Sequence, residues 1–417
     1  MSAKNKSSTL NFLRKKENNN SFVFNFFDLT IIFLYIFLST FEIYLVPLIG
    51  NITKYIMFLL IMIFCLKGLR QGKFVINGVF ISVLLWFGFK CISIFSGKFN
   101  DIIPLHFASQ IGFVGFFLII SLYRYQKQQV KKIFLCFWVV SLIFNILSLF
   151  FSEPYQVIYT SRNVLTLFGV QNDPNNCAAF SLFGIIISCY SIFYLKRYYV
   201  FSIINLILGS FVVLLTGSRG GLIAIGVVIL FWFLFMKPFN ILNLIFRVSV
   251  IFLLFVIFLM VAPYVLPPNT INRLFNFFGD GGSGRLQLWI DAFNLFKTKP
   301  LLGGGWGAAT YFNKRFPQAV HNTYLSMLAE GGIVSFSLFI YPYFILIFKG
   351  IKKGNKFPLL MLSSMFILCF FIDAINKRFI WNALIISYFS LYLTSEDINV
   401  KKQSKIEQDT EFLLLEI

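Results

Sequence analysis

Apolar residues in this chain gather into runs about as long as a bilayer is thick, and short polar segments separate the runs. A helix needs about 20 mostly apolar residues to cross the hydrocarbon core. Runs of that character begin with Leu29–Ile49, Tyr55–Leu66 and its flanks, Phe74–Phe95, Pro104–Tyr123 and Ile133–Phe151. They continue with Cys177–Leu195, Tyr198–Leu215, Leu222–Met236 and Ile245–Leu266, and close with Thr323–Phe348, Phe357–Ile372 and Phe379–Leu393. The pattern predicts an all-α fold, a polytopic membrane helix bundle of about 12 transmembrane helices. Residues 1–28 read as a polar tail, 29–395 as the membrane domain and 396–417 as a second tail. One long interruption, residues 267–322, lies between the ninth and tenth runs. No soluble domain and no solenoid repeat of about 20–50 residues is visible.

Charge orients this series, because Lys and Arg collect in cytoplasmic loops. With the N-terminus inside, the inner segments carry roughly twice as many basic residues as the outer ones. Arg14, Lys15 and Lys16, then Lys127, Lys131 and Lys132, then Lys349, Lys352, Lys353 and Lys356 all fall inside. The outer basic residues concentrate in 267–322, where the rule is weak because the loop is long. Both termini are therefore expected in the cytoplasm and that loop outside. The first apolar run is long enough to span rather than be cleaved as a signal peptide.

Composition agrees. Hydrophobic residues make up 58% and charged residues 12%, against about half and a quarter in soluble domains. Lipid must solvate much of the surface. The net charge of +20 does not mark a nucleic-acid binder, since the charges are spread among short loops and form no continuous patch. The six cysteines lie in or beside apolar runs without a CxxC pair. They read as small apolar side chains, not as a disulfide frame or metal site.

Four polar elements carry candidate chemistry. Leu215-Thr216-Gly217-Ser218-Arg219-Gly220-Gly221 joins two runs in a tight turn. Ser218 suits an N-cap, and a helix N-terminus beside Arg219 makes an anion site; the alternative is a capped turn with Gly220 and Gly221 close-packed. In the long loop, Gly284 to Phe293 reads as an amphipathic interfacial helix bearing Arg285 and Trp289. Asp280 to Gly284 lead into it, and a Gly-rich turn ending at Trp306 follows. His321-Asn322-Thr323-Tyr324 stands where the loop re-enters the membrane. An imidazole there is either a general base near neutral pH or a tolerated interfacial polar group, and His106 takes the second reading. Glu330, about two and a half turns into the tenth run, is either functional or a lock between helices. Gln171 to Asn176 is a turn-forming string that caps the sixth run, or the wall of a polyol pocket.

Taken in order, these elements resemble the O-antigen ligase and Wzy-type O-antigen polymerase membrane proteins. The matching pieces are Asp173 to Asn176, Thr216 to Gly221, Arg285 with Trp289, Lys299 to Gly305, and His321-Asn322 followed by Glu330-Gly331-Gly332. They cover about Asn172 to Phe336. Ser335 stands where the family often has a glycine. The resemblance implies a GT-C-like helical fold and transfer of glycan from undecaprenyl pyrophosphate on the outer side of the cytoplasmic membrane. No cofactor and no metal is implied, and the sequence holds no DxD motif, no Rossmann fingerprint and no His/Cys cluster with ligand spacing.

On this resemblance Arg219 and Arg285 hold the lipid pyrophosphate, and His321 takes the proton of the attacking hydroxyl. Ser218, Gly220, Gly221, Asn176, Asn322 and Glu330 join the substrate site, with Trp289, Trp306 and Tyr324 as platforms for sugar rings. The expected partners are an undecaprenyl-pyrophosphate-linked oligosaccharide, membrane lipid, a flippase and a chain-length regulator. A polymerase of capsular, exopolysaccharide or O-antigen repeats is expected first. The alternatives are a ligase to lipid A core or protein, and a lipid-linked sugar transporter, which would show repeated halves.

Overall fold

The computed structural model describes residues 22–72, 74–94, 103–155, 162–195, 198–235, 241–266, 268, 271, 285–311 and 319–393. Most of the two expected tails, and Asp280 to Gly284, lie outside these residues, as does the side chain of His106. Each apolar run coincides with a helix: α1 Phe26–Ile49, α2 Ile52–Gln71, α3 Gly78–Ser93, α4 Ile103–Ser121 and α5 Lys127–Phe150. Next come α6 Pro174–Tyr190, which ends in a π-turn at Ser191–Leu195, α7 Tyr199–Leu215, α8 Arg219–Phe235 and α9 Ile241–Val265. The loop region supplies α10 Arg285–Thr298 and the short α11 Ala308–Tyr311. The last are α12 Thr323–Lys352, α13 Phe357–Leu368 and α14 Arg378–Ser390. Among the described residues, five stretches are long and apolar enough to cross a membrane: α1, α2, α5, α6 with its π-turn, and α12. Shorter apolar helices accompany them, and the chain is a multi-pass membrane protein.

Polar residues placed at the run ends fix where helices start. Asn25 and Asp28 form a reciprocal capping box on α1, each side chain bonded to the other's backbone N–H at 2.8 Å. Asn77 caps α3 by accepting from Val79 and Phe80 N–H, and Asn322 caps α12 by accepting from Tyr324 and Leu325 N–H. Inside the bundle, a small polar network ties α5 to α7: Asn145 donates to Asn205 (2.8 Å), which donates to Ser141 (3.3 Å). Gly184 and Gly209 leave room for those amides, as close helix packing in lipid requires.

The fold is not purely helical. Between α5 and α6 lies an antiparallel meander of β1 Ser152–Pro154, β2 Asn163–Leu167 and β3 Val170–Gln171. Its second turn, Phe168-Gly169, has positive φ at both positions (53° and 73°), the geometry of a two-residue hairpin. The meander delivers the chain to Asn172, at the start of α6.

The break in α12 positions most of the site. Gly332 takes φ 63° and ψ −164°, so two helical pieces meet at a kink. The turn after α10 fills the gap backbone to backbone. Ile333 N–H donates to Pro300 O (2.9 Å), while Gly304 and Gly305 N–H donate to Ala329 O (2.8 Å) and Glu330 O (2.9 Å). A Cβ on Gly332 would sit 2.3 Å from Leu301 O, and one on Gly303 would sit 2.4 Å from the Glu330 carbonyl carbon. The two glycine-rich motifs are thus complementary halves of one splice. Ser335 takes up the space left by Gly331, whose added Cβ would stand 2.2 Å from it.

Candidate active site

Arg219 opens α8, and the turn before it is tied down by hydroxyls. Thr216 Oγ1 accepts from Ser218 N–H (3.3 Å), Ser218 Oγ accepts from Gly221 N–H (3.2 Å), and Ser218 Oγ donates to Asn175 Oδ1 (2.8 Å). The last bond joins the start of α8 to the start of α6. There Asp173 is the N-cap, accepting from Asn175 N–H (2.8 Å) and Asn176 N–H (3.3 Å), with Pro174 in the first turn. Gly220 and Gly221 serve packing: a Cβ would meet Phe371 at 2.8 Å or Ala178 at 2.9 Å. Ser218 takes the Gly221 N–H, so that donor is not open to a ligand.

Arg285 opens α10 and donates to Phe371 O at 2.8 Å. One turn on, Trp289 donates to Val320 O at 3.1 Å, holding the chain immediately before His321. His321 itself has φ 53°, a left-handed conformation unusual for a residue with a side chain. It is over-determined from both sides. Val320 is buried against Ala292, Leu295 and Ala329, and Asn322 accepts from Tyr324 and Leu325 N–H. Thr323 closes the knot by donating to Ile372 O (2.7 Å) and accepting from Ala374 N–H (2.9 Å). The segment 369–374 therefore anchors both Arg285 and the start of α12.

These anchors bring Arg285 within electrostatic reach of both Arg219 and His321. Burial lowers the pKa of Arg285, Asp173 opposes that shift, and Arg219 adds to it; a guanidinium remains charged throughout. Burial also pulls His321 below the ordinary imidazole value, and Arg285 and Lys377 pull the same way against Asp173 and Asp373. The imidazole is consequently neutral near pH 7, the form a base requires.

Beside this cluster lies a cavity of about 720 Å³, within the usual range for ligand sites. Asn176, Trp306 and Glu330 line it, as do Lys90, Asp373 and Arg378. Arg219, Arg285 and His321 do not line it, but Asp373 and Lys377, which do, are within electrostatic reach of His321. Glu330 sits 3.8 Å from Lys90 Nζ, and that ammonium lies 4.5 Å from the Trp306 ring centroid. Arg378 pairs with Glu42 across the cavity wall.

Two of the expected sugar platforms are elsewhere. The Tyr324 ring is buried against Phe336, Phe366 and Phe370, with its hydroxyl donating to Phe366 O (2.7 Å). Trp289 is half-buried on the same small cluster as Val320. Tyr324 is a core residue because its ring faces are covered, and the Trp289 indole is tied to the backbone one residue before His321.

Residues 204–340 match the family model of the O-antigen ligases. This stretch is an O-antigen-ligase-type domain. The match covers about a third of the chain. No curated protein matches the chain. The ligase-type domain contains all three members of the charged cluster, and also Trp306 and Glu330. Asp173, Asn176, Lys90, Asp373 and Arg378 reach the same site from outside it. Of these, Asp373, Arg378 and the Lys90–Glu330 pairing were not foreseen from sequence. Lys90 and Glu330 did carry a signal, as solitary charges within apolar runs that seek each other.

Proposed function

We propose that this protein is a polysaccharide polymerase joining undecaprenyl-pyrophosphate-linked oligosaccharide repeat units on the outer side of the bacterial cytoplasmic membrane. The observation that carries the reading is that Arg285 lies within electrostatic reach of both Arg219 and a neutral imidazole, His321, beside a large cavity.

A glycosyl pyrophosphate reacts when the bond between its anomeric carbon and the bridging phosphate oxygen breaks and that oxygen keeps the electron pair. Charge grows on that oxygen, and fixed forked donors aimed at it lower the barrier. Arg219 and Arg285 have that character. The acceptor hydroxyl attacks the anomeric carbon, and its proton passes to the His321 imidazole. In this scheme arginine charge does what a divalent ion does in other transferases, and no cofactor enters. Both termini are cytoplasmic, and a flippase delivers the lipid-linked unit to the outer face, where a chain-length regulator sets the extent of reaction.

An O-antigen ligase would use the same donor cluster and differ in its acceptor. Purified protein in lipid nanodiscs, given defined lipid-linked repeat units, should yield a ladder of products. A single transfer to a core acceptor without a ladder selects the ligase. Normal polymer length from Arg219→Ala, Arg285→Ala or His321→Ala, at normal protein levels, refutes the assignment.

A further inference from the structure

Asp173 is fixed more firmly than a helix cap requires. Its N–H donates to Asn172 Oδ1 (2.8 Å), and its carbonyl accepts from Cys177 N–H (3.0 Å). Its Oδ1 accepts from both Asn175 N–H and Asn176 N–H, so its second carboxylate oxygen takes no part in the cap. Asn172 is itself buried and accepts from Asn176 Nδ2 (3.0 Å). Asn175 Oδ1 accepts from Ser218 Oγ, which binds this start of α6 to the residue before Arg219. The carboxylate is thereby set where α6 and α8 begin, within electrostatic reach of Arg285 at the start of α10 and of His321 just before α12.

A cap alone has no need of charge, since asparagine and serine cap as well as aspartate. What the charge faces is a group of cations. Around half-buried His321 stand Arg285 from α10, Lys377 from the residue before α14, and two acids, Asp173 and Asp373. Asp373 accepts from Ser326 (3.2 Å) and also faces Lys90 and Glu330 in the cavity. Asp173 instead faces Arg285 as well as His321, and Arg285 in turn faces Arg219. A base that takes a proton beside Arg285 and Lys377 becomes a cation among cations. That state is costly unless a fixed negative charge lies near.

We propose that Asp173 is a positioning residue for the proton transfer: its carboxylate, held by the α6 cap bonds, stabilises the imidazolium that His321 becomes. The acceptor's O–H bond breaks as its oxygen bonds the anomeric carbon, the proton passes to an imidazole nitrogen and later to water, and Asp173 stays ionised throughout. This role rests on the glycan-transfer reading given above; the electrostatic link between Asp173 and His321 does not.

The test uses the full chain in lipid nanodiscs. His106 and His321 are the only histidines, so a His106→Gln background leaves one imidazole, whose titration midpoint is read by NMR of isotope-labelled histidine. Asp173→Asn and Asp173→Ser keep the cap and remove the charge, so the melting temperature should be unchanged. Losing the anion disfavours the imidazolium, and the His321 midpoint should fall by about half a pH unit or more in each variant. The acid limb of the transfer rate should move down with it, and the plateau kcat should fall about twofold to fivefold with KM unchanged. Asp173→Glu keeps the charge and should hold the midpoint nearer that of the parent. A midpoint that stays in place or rises in both cap-keeping variants overturns the proposal. An acid limb that does not follow the His321 midpoint in the parent overturns the reading of His321 as the base, and leaves the electrostatic link standing.

Discussion

Replacing Glu330 with Gln tests how the cavity is held together. At 3.8 Å from Lys90, the attraction in an effective dielectric of about 20 is about 4 kcal/mol. Desolvating each ion costs several kcal/mol, so the intact pair adds little net stability. Removing one partner is a different matter. Glu330→Gln leaves Lys90, which is 6% exposed, with only Asp373 as a nearby acid, and a stranded buried charge costs up to about 3–5 kcal/mol. An ordinary ammonium escapes by losing its proton, which at pH 7 costs about 4–5 kcal/mol, and that caps the penalty. Lys90→Met should cost a similar amount, including up to about 2 kcal/mol from its contact with Trp306. The double variant Lys90→Met/Glu330→Gln strands no charge and should lie within about 2 kcal/mol of the parent. Equilibrium unfolding of the detergent-solubilised protein across the four members of this cycle measures the coupling. A Glu330→Gln protein as stable as the parent, or a double variant no better than the sum of the singles, refutes the reasoning.

Other consequences are equally open to measurement. Arg219→Ala and Arg285→Ala should each slow transfer about a hundredfold, corresponding to about 3 kcal/mol of lost charge stabilisation, in a single-turnover assay with lipid-linked donor. The lowered pKa of His321 keeps the base form down to more acidic pH, so the acid limb of the rate profile should fall below about pH 6.5; a midpoint above that value contradicts the assignment. Trp289→Phe removes the bond to Val320 O and should lower kcat several-fold with KM unchanged, since it loosens His321 without touching substrate. Gly332→Ala places a Cβ in a left-handed position against Leu301 O and should destabilise by about 2–5 kcal/mol, seen as a lower melting temperature and faster proteolysis at 299–307.

Much of this architecture was legible in the sequence because hydropathy encodes it directly, and each apolar run is a helix. The amphipathic helix expected from Gly284 to Phe293 appears as Arg285–Thr298. The meander at 152–171 was not legible, since its strands hold only two to five residues and too few positions to establish a period. Within the site, Arg219, Arg285 and His321 stood out by residue type at run ends. Tyr324 misled because an aromatic after a polar pair suits a platform as well as a core, and only the positions of Phe366 and Phe370 decide between them. The pairing of Arg378 with Glu42 spans 336 positions. Each looks like an ordinary interfacial charge until the helices are packed.

The splice at Gly332 has a bearing on evolution and engineering. An interrupted helix surrounded by lipid has amide groups with nowhere to turn, and here the turn after α10 answers them through main-chain atoms alone. Neither partner is complete without the other. A chimera that exchanges residues 285–311 between relatives must carry the first turns of α12 along with them, and a deletion of the turn removes a segment of transmembrane backbone's only internal solvent among the described residues.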